Sequence, residues 1–110
     1  CYAFLDIFPA AKGHTLVIPK QHFTDIHQAD AQSYASVAAA AKEVADLLHA
    51  KLGSAGTTIF QMNREAGWQT VFHLHMHVIP RWDNDGLHKP WDIAAATDGE
   101  LAAVHKEVVG

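Results

Sequence analysis

The stretch "VFHLHMHVIPR", residues 71–81, decides how this chain is read. His73, His75 and His77 stand at every second position, with Leu74 and Met76 between them. Successive side chains of a strand point to opposite faces. Read as a strand, the segment puts Val71, His73, His75, His77 and Ile79 on one side and Phe72, Leu74, Met76 and Val78 on the other. The second set is an unbroken apolar face suited to packing on a helix. The first lays three imidazoles along an open face, which does little for stability and asks for a functional account. Imidazole changes charge near neutral pH and serves as acid, base, nucleophile and metal ligand.

Working outward, "QTVFHLHMHVIP" is expected to be the fourth and longest strand, ended by Pro80, and "TTIFQMN" the third, with "REAGW" as the turn between them. "CYAFLDIF" and "HTLVIP" read as the first two strands, separated by the turn residues of "PAAKG". A polar loop, "KQHFTDIHQ", leads into a long helix from about Asp30 to Leu52, where Tyr34, Val37, Ala41, Val44 and Leu48 recur at three- and four-residue spacing. Asp30 is placed to cap its start and Gly53 to end it. "RWDNDGLHKPWD" is irregular, and "TDGELAAVHKEVV" closes the chain as a helix, with Thr97 and Glu100 at capping-box spacing. The expected fold class is α+β: an antiparallel meander sheet with one long helix packed on one face and a C-terminal helix. No repeat or linker divides residues 1–110, which are read as a single domain.

Composition narrows the function classes. Hydrophobic residues make up 49%, which fits a globular chain and not a disordered one. No apolar run approaches the length of a membrane span, so no membrane partner is expected. A net charge of −4 argues against a broad nucleic-acid face, while a local pocket can still hold a small anion. The single cysteine, Cys1, excludes an intrachain disulfide and fits a cytoplasmic location. No signal-peptide pattern is visible, and the chain opens at Cys1 rather than Met, consistent with natural residues ahead of it.

Three accounts of the histidine row compete. One is a metal site. Same-side strand residues lie about 6.6 Å apart, so the row spans about 13 Å and cannot converge on one ion unaided. A ligand from another element, such as His14 or His22, would be required, and no cysteine pair is present to complete a structural zinc site. A second account is partly buried structural histidines. The third is phosphate chemistry, in which one neutral imidazole attacks phosphorus and a neighbour steadies the anionic oxygens.

The row "HLHMHVI" resembles the signature of the histidine-triad (HIT) nucleotide-binding family, in its Hint-like or Fhit-like branch. "FLDIFP", "GHTLVIPK-H" and "QTVFH" resemble further family segments in the family order, together covering most of residues 3–81. The resemblance implies a strand-rich α+β homodimer that binds a purine nucleoside phosphate such as AMP. It implies hydrolysis or nucleotidyl transfer at the α-phosphorus of nucleoside phosphoramidates, adenylates or dinucleoside polyphosphates. By the same resemblance His75 is the nucleophile that forms a nucleotidyl-histidine intermediate, His77 holds a phosphate oxygen, His73 orients the His75 region, and His14 is a fourth histidine close to the triad. Asp6 would accept hydrogen bonds from the ribose, Phe4, Ile7 and Leu16 would line the nucleoside pocket, and Gln69 and Thr70 would meet the phosphate or leaving-group side. His22, His27, His49, His88 and His105 are read as solvated.

The chain departs from the family pattern at Trp68, which stands where a glycine usually approaches phosphate. Asn63 also precedes Gln69 by one residue fewer than the common spacing, so both Asn63 and Trp68 are weaker candidates for the nucleotide site. No metal ligand set and no required cofactor are expected, and the zinc site of members with an early Cys-x-x-Cys is not predicted from these residues. The alternative function is a nucleotide-binding sensor or partner module with little catalysis.

Overall fold

The computed structural model describes residues 1–110. Its elements are β1 (Tyr2–Leu5), β2 (Thr15–Ile18), α1 (Ala31–Leu52), β3 (Gly56–Gln61), a short 3-10 turn (Glu65–Gly67), β4 (Met76–Arg81) and α2 (Asp98–Val109). The four strands form one antiparallel sheet in the order β1-β2-β4-β3. It is two hairpins, β1–β2 and β3–β4, joined along β2 and β4 after α1 carries the chain across. The fold class is the α+β arrangement expected, with an antiparallel sheet, but the strands do not follow one another as a simple meander: β4 lies between β2 and β3 because the long α1 separates the two hairpins.

The long helix starts and stops where local chemistry dictates. The Asp30 carboxylate accepts the Ser33 amide at 3.2 Å, satisfying a first-turn donor. Gly53 takes the left-handed conformation at φ 68° and its amide closes on the His49 carbonyl. One face of α1 then covers the sheet. Val37 and Ala41 meet Val17, Met76 and Val78 to form the core, with Tyr34, Ala40, Val44, Ala45 and Leu48 packed around them.

Two expectations need correction. The fourth strand does not run from Gln69: only Met76–Arg81 is strand. A strand persists only while it has ladder partners. Upstream of Met76 they run out, because β2 runs into Pro19, which has no N–H, and β3 ends at Gln61, opposite Met76. The predicted apolar face breaks in the same place: Leu74, Met76 and Val78 are buried, but Phe72 is 54% exposed. Likewise β1 ends at Leu5, although the Asp6 amide still donates to the His14 carbonyl at 2.9 Å.

Gly13, just ahead of β2, is required by its position. Its φ is 86°, and an added Cβ would lie 2.6 Å from the Leu52 side chain. The backbone is thereby pressed against α1, and the next residue, His14, is delivered into the sheet interior with only 5% exposure. At the other end of the chain, α2 is capped by Thr97, whose hydroxyl accepts the Glu100 amide, but it buries no residue. No helix is long and apolar enough to cross a membrane.

Candidate active site

The triad histidines sit in three different settings. His77 is on β4, 9% exposed, with its ring stacked 4.2 Å from that of Phe60 on the neighbouring strand. His75 and His73 lie in the non-repetitive stretch before β4. They do not share a strand face with His77, so the even spacing assumed for a strand does not apply. The Leu74 amide, between them, donates to the Phe23 carbonyl at 2.6 Å, so this segment is held by the loop after β2.

Hydrogen bonds fix which ring nitrogens carry protons. The His75 Nδ1 is 2.8 Å from the backbone carbonyl of His73. A carbonyl only accepts, so Nδ1 carries the proton and the neutral ring keeps its lone pair on Nε2. The expected orienting role of His73 thus falls to its backbone oxygen, not its ring. A second chain of bonds runs through His14. The Ala10 amide donates to His14 Nδ1 at 3.0 Å, which places the neutral ring's proton on Nε2. That Nε2 lies 2.9 Å from His77 Nδ1, so His77 accepts there and carries its own proton on Nε2. His77 Nε2 is buried and has no protein partner. The chain therefore ends on an N–H with its hydrogen bond still to make.

The surroundings favour the neutral form of His77, His14 and His73. Burial pushes the His77 pKa down to about 4, helped by the neighbouring His75 and His14 and opposed by Asp6. Burial also lowers His14, against the attraction of Asp6. His73 is lowered by burial, then by His22 and His75.

Asp6 follows β1, and its carboxylate is divided. One oxygen accepts the Phe8 amide at 2.9 Å and the other lies 3.6 Å from His14 Nε2. Asp6, His14 and His77 therefore bring ligand-type atoms within 4.8 Å of one another, the one trio of this kind in the chain. The donor atoms of the two histidines are already hydrogen-bonded to each other, so an ion there would have to displace that bond. Phe4 (48% exposed) and Ile7 (84%) are open to solvent beside Asp6, and Leu16 is half-buried. None of the three is spent on the core.

Several residues differ from expectation. Gln69 is only 3% exposed and its amide is committed to protein: Oε1 accepts the Arg64 amide, and Nε2 donates to the carbonyls of Thr24 and Val71. It pins the 64–71 loop to the loop after β2, and its side chain is not presented to a substrate. Thr70 is exposed. Asn63 accepts the Ile26 amide and exchanges two bonds with the Gln61 side chain, again a structural duty. His22, read as solvated, brings Nδ1 to 2.7 Å from His73 Nδ1, so one ring must donate to the other. His49, also read as solvated, bonds the Ser54 carbonyl. The His22 contact had a usable signal. In an antiparallel pair the residues just after β2 fall beside those just before β4, so a histidine soon after Pro19 meets His73. Asp25 was not singled out either. It is buried, and although burial opposes ionisation, hydrogen bonds from Arg64 and the Gln28 and His27 amides hold its carboxyl below the usual range.

The HIT domain family model matches residues 1–84. This chain belongs to the HIT family. Among curated relatives, a HIT-like protein of Mycoplasma pneumoniae is 44% identical over 82 residues, covering 74% of this chain and 57% of that one. The chain thus spans little more than half the length of that relative. The adenosine 5'-monophosphoramidase of Schizosaccharomyces pombe is 34% identical over 107 residues, covering 96% of this chain and 77% of that protein. Among solved structures, a HIT family protein of Bacillus subtilis aligns with a TM-score of 0.87 at 32% identity, covering 96% of this chain and 77% of the other. The matched span takes in His14, the loop before β4 with His73 and His75, and His77 on β4.

Proposed function

We propose that this HIT chain is a nucleotide hydrolase or nucleotidyl transferase working at the α-phosphorus of AMP-type phosphoramidates, adenylates or dinucleoside polyphosphates. The observation that carries the reading is the pair of complementary nitrogens: His75 with a free Nε2 lone pair, and His77 with a buried, unpartnered Nε2 proton. The phosphoramidase named in Schizosaccharomyces pombe supports the substrate class by similarity.

In the proposed step, His75 Nε2 forms a bond to phosphorus as the bond from phosphorus to the leaving nitrogen or oxygen breaks. The leaving group departs with that electron pair and takes up a proton. His77 Nε2–H donates to a non-bridging oxygen, where negative charge is concentrated in the transition state. Because His77 stays neutral well below pH 7, this is a hydrogen bond from a neutral donor rather than an ion pair. Water then cleaves the His75–phosphorus bond and releases the nucleoside monophosphate. Phe4, Ile7 and Leu16 would hold the nucleoside and Asp6 its ribose, consistent with an apolar surface left open beside one carboxylate. The homodimer and the cytoplasmic location expected from the sequence belong to the same proposal.

A second reading, a binding module with little turnover, draws support from Trp68. Its backbone amide donates to the Glu65 carbonyl at 2.9 Å and is thus engaged away from a phosphate. The variant His75→Ala separates the two. In the enzyme reading the wild type turns over an AMP phosphoramidate and the variant loses that turnover while still binding AMP. A wild type that binds AMP without turnover supports the module, and a variant with full activity contradicts the role of His75.

A further inference from the structure

We propose that Asp25 and Arg64 form a clasp that positions His75 for attack, so that an ion pair acting through the backbone sets kcat. The inference rests on the hydrolase reading above and names what holds its nucleophile in place.

The stretch carrying His73 and His75 has no strand ladder of its own, and the loop after β2 takes that part. Successive residues of this loop each reach across. His22 Nδ1 lies 2.7 Å from His73 Nδ1, and the Phe23 carbonyl accepts the Leu74 amide at 2.6 Å. The Thr24 carbonyl accepts from Gln69 Nε2 at 2.6 Å, and the Ile26 amide donates to Asn63 Oδ1 at 2.7 Å. Asp25 stands in the middle of this seam and holds both sides. Its Oδ1 accepts the His27 and Gln28 amides at 2.9 and 3.0 Å, which shapes its own loop. Its Oδ2 accepts from Arg64 Nε at 3.1 Å, which ties down the opposite one. Asp25 is only 5% exposed, so its end of this charge-assisted bond is shielded from solvent.

Arg64 occupies a backbone conformation that disfavours it. At φ 63° and ψ 167° it lies in a region used almost only by glycine. Trp68, at the far end of the same turn, is left-handed at φ 72°. A turn bent against the preferences of both end residues keeps its shape only through added bonds, and Arg64 supplies two. Its side chain reaches Asp25, and its amide donates to Gln69 Oε1. Gln69 Nε2 passes the restraint on to the Val71 carbonyl at 3.0 Å. Two residues later the His73 carbonyl accepts from His75 Nδ1 at 2.8 Å, the bond that leaves the Nε2 lone pair free. Releasing the clasp lets that carbonyl drift, and the His75 proton then divides between the two ring nitrogens.

The test uses Asp25→Asn, Arg64→Gly and the double variant. Asparagine keeps an oxygen for the His27 and Gln28 amides but turns its NH2 towards Arg64 Nε, donor against donor. Glycine removes the guanidinium and suits the backbone at residue 64. On an AMP phosphoramidate each single variant should lose kcat by about tenfold or more while KM stays within about twofold, as expected when a nucleophile is misplaced. The double variant should be no slower than the slower single one. Nitrogen-15 NMR of the histidine rings at mildly alkaline pH, with His75 assigned by its loss in His75→Ala, reads the proton directly. It should sit on Nδ1 in the wild type and be shared between both nitrogens in the variants. A merely structural pair would lower the melting temperature and leave kcat and the tautomer of the folded protein unchanged. Wild-type kcat in either single variant, or a His75 proton still confined to Nδ1 in both, overturns the clasp and leaves the hydrolase reading standing. Absence of turnover by the wild type overturns both.

Discussion

Lowering the pH should destabilise this fold through His77, which acts alongside the other histidines that burial holds below their ordinary range, His14 and His73. In the unfolded chain His77 titrates near 6.5, and in the folded protein burial holds it to about 4. Between those values the unfolded state binds the extra proton, so stability rises with pH there and is lost as pH falls from about 6.5 to 4. Each pKa unit corresponds to about 1.4 kcal/mol, which sets a ceiling of about 3 kcal/mol. Solvent reaching the site reduces that to about 2 kcal/mol. The perturbation is His77→Gln, whose side-chain oxygen can still accept from His14 Nε2 while adding no titrating group. Urea unfolding of both proteins, followed by circular dichroism across pH 4 to 7.5, reads the difference. The decline between pH 7 and 4 should be about 2 kcal/mol smaller in the variant. The carboxylates of Asp25 and Asp85, both held below their usual range by arginine partners and amides against the cost of burial, lose their contributions at lower pH and are common to both proteins. Equal declines in the two proteins would refute a buried, neutral His77.

Two further substitutions probe the frame around the site. Gly13→Ala adds a Cβ 2.6 Å from Leu52 and 3.2 Å from Pro80 at a φ of 86°, and should cost about 3 kcal/mol in thermal or urea unfolding. A near-neutral result would contradict the close approach of residue 13 to α1. Gln69→Ala strands the Arg64 amide and the Thr24 and Val71 carbonyls, so a stability loss of about 2 kcal/mol is expected. Unchanged stability would mean the side chain turns towards the substrate after all.

What the sequence revealed and what it hid follow from locality. The ends of α1 were legible because Asp30 and Gly53 act on backbone groups within four residues of themselves. The core face of α1 was legible for the same reason, since Val37 and Ala41 lie on one periodic stripe. The start of β4 was not, because alternation in "VFHLHMHVIP" records only what the segment would suit. Whether residues 71–75 pair depends on Pro19 and Gln61, far away in the chain. The site divides in the same way. His14, His75 and His77 were marked by their residue type and by family resemblance. The tautomers that make the rings unequal come from Ala10 and from the His73 carbonyl, main-chain groups with no signature of their own. Gln69 was expected on the phosphate side by resemblance; that its side chain satisfies the backbone of two loops at once had no local signal, because its partners are main-chain groups of Arg64, Thr24 and Val71. Trp68 was visible as a departure from pattern, but the ring of Trp91 5.5 Å from its own was not, because Trp91 lies in a stretch that looked merely irregular.

The central claim is that His75 attacks phosphorus. Its most direct test is intact-mass spectrometry of the protein quenched within the first turnover of an AMP phosphoramidate, followed by peptide mapping. The account predicts one acid-labile nucleotidyl group per chain, located on His75 and missing from His75→Ala. Steady turnover by the wild type with no adduct at any quench time, or an adduct mapped to His73 or His77, would contradict it.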